Sequence, residues 1–145
     1  VATLHTSLPS VVALAVLGTL LGCGDEGGEC LLAVTTDCAV SYEPTYANIF
    51  NNTLRPTCGG PGVSCHGEDG RRGGLVFSSE SESYELLLGL SDGRSRVIAG
   101  DPDASLLLQR LECSSPLPRM PLNSDPLPAT ARCAIAKWIA AGATP

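Results

Sequence analysis

The chain has 145 residues, a formal charge of −6 and abundant Gly (16) and Pro (11). An acidic surface argues against nucleic acid, and against an anionic membrane held by charge. With one Trp, three Tyr and two Phe, a conventional apolar core is small for this length, so disulfides or a bound apolar group would have to add to it.

Leu8 to Leu21 form an apolar run of signal-peptide length, shorter than the roughly 20 residues a spanning helix needs. It ends in Leu20-Leu21-Gly22-Cys23, which resembles the lipobox of bacterial lipoproteins, where the cysteine becomes the lipidated first residue of the mature chain. Residues 1–22 are therefore predicted to be a lipoprotein signal peptide, and Cys23 the lipidation site through which the protein attaches to a bacterial membrane. Gly24-Asp25-Glu26-Gly27-Gly28 opens a flexible tether predicted over 23–41. The remaining residues, 42–145, suffice for one small domain. Every Lys, Arg, Asp and Glu follows Cys23, so the mature polypeptide keeps the whole charge.

Export places the domain in the periplasm or at the cell surface, where cysteines oxidise. Beyond Cys23 the chain holds Cys30, Cys38, Cys58, Cys65, Cys113 and Cys133, an even number that favours disulfides without fixing their pairing. Cys30 with Cys38 is a plausible local closure. A bridge from Cys113 to Cys133 would staple the loop between them to the last helix and be worth about 3 kcal/mol on loop-entropy grounds.

Four helices are predicted. Thr45 to Arg55 carries Tyr46, Ile49, Phe50 and Leu54 on one stripe and should end at Pro56. Ser81 to Leu90 has acidic residues near its start and a Ser91-Asp92-Gly93 turn behind it. Asp101-Pro102 reads as an N-cap and first helical residue for a segment carrying Leu106, Leu107 and Leu111. Pro128 to Ala141 closes the chain, with Gly142 as its stop and Trp138 as core against Phe50 or Tyr46. Leu75-Val76-Phe77 is the only stretch with strand character. The fold class expected is all-α: a small helical domain with long Gly- and Pro-rich loops, stapled by disulfides.

Between the first two helices lies Cys58-Gly-Gly-Pro-Gly-Val-Ser-Cys65-His66-Gly67. His5 falls in the segment to be cleaved, so His66 is the mature chain's single histidine, and Met120, in Pro118-Arg119-Met120-Pro121, its single methionine. A thiol able to bond a haem vinyl group, an adjacent imidazole and a distant thioether are the parts of a His/Met c-type haem site. The usual attachment signal is Cys-x-x-Cys-His. Here Gly62 stands where its first cysteine would be, and a stretch with three glycines and a proline before Cys65 is not one turn of helix. Cys58 therefore reaches the site by a looped excursion, or leaves Cys65 to form a single thioether, or bonds to Cys65.

The order of these features resembles the cytochrome c superfamily. A helix rich in Tyr, Ile and Phe is followed by Cys65-His66-Gly67, Gly73-Gly74-Leu75 and Ala99-Gly100-Asp101-Pro102 with Ser105-Leu106-Leu107. Arg119-Met120-Pro121 and a last helix with Trp138-Ile139 and Ala141-Gly142-Ala143 complete it. The pattern is most similar to exported cytochrome-c-like domains of myxobacterial and planctomycete proteins. The resemblance implies one covalent haem c, with His66 and Met120 as iron ligands, Cys65 as second attachment cysteine and Cys58 as first by role alone. Arg71, Arg72 and Arg119 are of the type that pairs with haem propionates. The implied function is electron transfer rather than catalysis, by a monomer exchanging electrons with periplasmic or membrane redox proteins. The alternative is a haem-free, disulfide-stapled module of the same shape that serves as a surface interaction or scaffold domain.

Overall fold

A computed structural model describes residue 1 and residues 35–60, 65–113 and 117–145. Apart from residue 1, the predicted signal peptide lies outside the described residues, as do Cys23, Cys30 and most of the tether. What is described is mostly helical, with four α-helices and no strand. No helix among the described residues is long and apolar enough to cross a membrane.

Helix α1, Tyr46–Ile49, starts at Thr45, whose side chain accepts the N–H of Asn48 and so satisfies one of the orphan donors of a first turn. The chain then continues without a break into a π-helical stretch, Phe50–Gly59, that contains Pro56. The sequence reading ended the helix before this proline. In α geometry the ring of Pro56 would press on the carbonyl of Asn52, four residues back; the wider π turn relieves that clash, and the helix runs on to deliver Cys58 in its last turn. Asn51 and Asn52 donate their side-chain amides to the carbonyls of Ala47 and Asn48 at 2.9 and 2.8 Å, covering acceptors where the register widens.

Helix α2, Glu80–Leu88, is capped by Ser79, carries Glu80 and Glu82 at its positive end and stops at Gly89. Gly89 has φ +73°, and a Cβ there would lie 2.7 Å from the backbone N of Ser95, so only glycine fits this stop. Helix α3, Leu106–Glu112, begins later than the Asp101-Pro102 signal predicted. Asp101 instead caps a preceding turn by accepting the N–H of Ala104 at 3.0 Å. Ser105, fully buried, flanks the helix and ties it to the 98–101 turn by accepting from the N–H of Ile98 and donating to the carbonyl of Asp101. Helix α4, Ala129–Ala140, matches its prediction closely. Leu75-Val76-Phe77 is extended but pairs with no strand among the described residues.

One core joins these parts. Tyr46, Ile49, Phe50 and Leu54 meet Leu87, Leu107, Leu108 and Leu111, and both groups close on Ala134, Ile135, Trp138 and Ile139 of α4. Trp138 packs on Tyr46 with ring centroids 5.2 Å apart and donates its indole N–H to the carbonyl of Thr144. Both predicted local disulfides are overturned: Cys38 bonds to Cys133 across 95 positions, and Cys113 is disulfide-bonded elsewhere. Pairing follows the packed fold. Docking the segment before α1 on α4, with Ser41 hydrogen-bonded to Thr130, brings Cys38 to Cys133.

Candidate functional site

The segment around His66 is built from backbone contacts. The N–H of His66 donates to the carbonyl of Cys58 at 3.1 Å, and its carbonyl accepts the N–H of Phe77 at 2.7 Å. Arg72 donates its N–H to the carbonyl of Cys65 at 3.0 Å. His66 is thus clamped between the end of the π-helical stretch and the extended 75–77 segment. Gly59 makes that approach possible, since a Cβ there would sit 2.5 Å from the Cβ of Phe77 and 2.7 Å from the carbonyl oxygen of His66.

The imidazole is half-buried and meets the ring of Phe77 edge-on at 5.5 Å. Its Nδ1 is fully buried with no hydrogen-bond partner among the described residues. Burial lowers the pKa of His66, and the nearby charges of Arg72 and Arg110 add to the effect, while the carbonyls of Leu75 and Arg72 work against it. The ring is therefore held neutral, the form in which imidazole nitrogen can donate to a metal.

Cys58 and Cys65 are both free thiols, and the disulfide between them that the sequence allowed is not formed. Cys65 is exposed. Cys58 is partly covered and packs against the core, and its pKa is pushed up to about 11 by burial, with a further contribution from the charge of Cys65. The hydrogen bond from His66 to the Cys58 carbonyl sets Cys65 and His66 beside the end of the π-helical stretch.

Met120 is half-buried and packs on the same core as Cys58 and Leu75. Its N–H donates to the carbonyl of Arg110 at 2.6 Å, which fastens the Met120 loop to α3, and the Met120–Pro121 peptide bond is cis. No group of three or more His, Cys, Asp or Glu among the described residues could hold a metal ion.

The three arginines singled out in the sequence fare differently. Arg71 is exposed and paired with Glu68 and Glu82 at 2.9 and 3.1 Å. Arg72 is exposed beside His66, and the charge of Arg119 reaches Glu112. Two other arginines matter more. Arg96, 6 % exposed, donates to the carbonyls of Leu86, Arg94 and Gly73 and to Asp92, pinning the 73–74 turn that leads into the wall beside His66. Arg110 supports Met120 and bears on His66 together. A sequence signal existed for Arg110: it stands three residues from Leu107 and one from Leu111, at the edge of the buried stripe of α3.

Residues 63–122 match the family model described as planctomycete cytochrome C. The chain resembles this cytochrome-c-like family. The matched stretch takes in Cys65, His66 and Met120 and stops short of Cys58, which stands before it. No curated protein and no solved structure matches the chain.

Proposed function

We propose that this cytochrome-c-like domain binds one haem c covalently and carries single electrons at a bacterial membrane facing the periplasm or cell surface. The observation that supports this best is the thiol pair. Cys38, Cys113 and Cys133 are all bonded, whereas Cys58 and Cys65, on either side of the one described histidine's backbone clamp, are free. Thiols kept out of the disulfide network beside a neutral, half-buried imidazole fit covalent attachment next to an iron ligand. Cys65 would form one thioether and Cys58 a second, and His66 and Met120 would hold the iron.

When bound, the haem would supply a one-electron iron couple. The protein's part is positioning. The backbone clamp on His66 fixes the ring, Leu75 and Phe77 give it an apolar neighbourhood that excludes water, and the bond from Met120 to Arg110 holds the thioether loop against α3. A soft thioether ligand favours the reduced state. His66 and Met120 would both hold the iron and leave it no place for a substrate, which would suit a carrier rather than an enzyme. Lipidation at Cys23 would keep it near membrane redox partners at high effective concentration.

The test is a pyridine haemochrome assay on protein expressed with a haem-attachment system. One haem per chain is expected, with covalent incorporation abolished in His66→Ala and Cys65→Ala. In Cys58→Ala, retention of haem with the band of a single thioether would mean that Cys65 suffices. No haem band in correctly processed wild-type protein would overturn the carrier reading and leave the disulfide-stapled, haem-free module.

A further inference from the structure

Among the described residues, the buried side-chain polar atoms without a hydrogen-bond partner are Nδ1 of His66, Nη1 of Arg110 and Oε2 of Glu112. Glu112 still has Arg132 on its other oxygen, at 2.8 Å. The other two belong to one place. Arg110 holds the Met120 loop through its carbonyl, and its guanidinium lies within electrostatic reach of His66. A guanidinium N–H that is dry and unpartnered is costly, and most such groups in folded proteins have an acceptor. The acceptor suited to a guanidinium is a carboxylate or phosphate oxygen. Among the described residues no carboxylate reaches Nη1 of Arg110: Glu112 is engaged with Arg132, Glu68 with Arg71, and Asp92 with Arg94 and Arg96.

We propose that Arg110 is the residue that binds a carboxylate of the bound haem, with its buried Nη1 donating to a propionate oxygen between the His66 segment and the Met120 loop. This rests on the haem reading above and sharpens it. Of the arginines near the site, Arg110 is the one with a buried donor that has no partner among the described residues, whereas Arg71 is spent on two glutamates and Arg72 is exposed. The same residue would then anchor the cofactor's anionic edge with its side chain while its backbone holds the Met120 loop, so that loading the site and ordering Met120 would go together.

The full chain, expressed without a haem-attachment system and kept reduced at Cys58 and Cys65, is titrated with hemin and with hemin dimethyl ester, which lacks free carboxylates. For hemin, Arg110→Gln should weaken binding about tenfold or more, the worth of one charge-assisted hydrogen bond, and Arg110→Lys, which keeps the charge and loses the planar fork, should weaken it less. For the ester, wild type and both variants should bind alike. Equal losses for hemin and ester in either variant would assign Arg110 a structural role and overturn the proposal, as would no loss for hemin. If wild-type protein bound neither compound and also took up no covalent haem when expressed with a haem-attachment system, the haem reading itself would fail, and with it this assignment; covalent haem in wild type that Arg110→Gln retains in full, with an unchanged spectrum and potential, would overturn the assignment alone.

Discussion

At Gly59 the backbone has no room for a side chain. The Cβ of Phe77 and the carbonyl of His66 would both lie inside contact distance of an added methyl, and one of them is backbone that cannot move aside. Gly59→Ala should therefore destabilise the domain by about 1–3 kcal/mol, the usual cost of overpacking. It should also spread the clamp that presents His66. Urea unfolding followed by tryptophan fluorescence would measure the first effect, and hydrogen exchange at the His66 and Phe77 amides the second. An unchanged midpoint would mean that the contact between the π-helical stretch and the 75–77 segment is looser than these distances require. Gly59 was invisible as a site residue in the sequence because one glycine among several in a loop carries no sign of which one faces a neighbouring backbone.

Between elements, α3 and α4 are joined by a buried ion pair, Glu112 with Arg132 at 2.8 Å, both side chains about 10 % exposed or less. Arg132 also donates to the carbonyl of Leu127. Removing one partner leaves the other charge buried and alone, so Arg132→Met should cost about 3–5 kcal/mol, whereas replacing both residues by apolar ones should cost far less. Burial raises the pKa of Glu112 above its ordinary 4.5, and Arg132 opposes this without cancelling it. A carboxyl raised on folding contributes stability that is complete below the unfolded pKa and is lost as pH rises through the folded value. In Arg132→Met the opposing guanidinium is gone, so the drop in urea midpoint between about pH 4 and about pH 7 should be larger than in wild type; an equal drop would place the titration elsewhere.

The helices themselves were largely legible, because caps and stops are local. Pro128 and Gly142 bound α4 through residues whose chemistry acts within a turn, and α2, read from Ser81 to Leu90, starts one residue earlier behind Ser79 and stops two residues earlier at Gly89, ahead of the Ser91-Asp92-Gly93 turn. What escaped was whatever depends on distant packing. The π continuation past Pro56 is fixed by where Phe50 and Leu54 must reach the core, and the late start of α3 by the burial of Ser105. Of the site, Met120 stood out as the chain's single methionine, His66 as the single histidine outside the predicted signal peptide, and Cys65 as the one cysteine beside it. Arg110 did not, since an arginine among leucines reads as the solvated face of a helix until its Nη1 is found buried.

Over the whole molecule, the Cys38–Cys133 bond closes a loop of 95 positions and fastens the segment entering the domain to its last helix. Loops of that length lose the most entropy on cross-linking, so Cys38→Ala with Cys133→Ala should lose about 4–5 kcal/mol of stability. For a domain with so few aromatic residues that is a large share of the usual stability, about 5–15 kcal/mol. Thermal melts of the double variant beside wild type would measure it, and a midpoint indistinguishable from wild type would mean that the core is self-sufficient. A second disulfide at Cys113 leaves the oxidised fold partly stapled in that variant.

The hydrogen bond from His66 back to the Cys58 carbonyl brings the two ends of the intervening sequence to one contact. Residues added to or removed from a closed loop change the count along the chain at little cost to the contact that closes it. The separation of Cys58 from His66 in sequence and their separation in space are thus independent quantities here, and it is the second that a rigid ligand would measure.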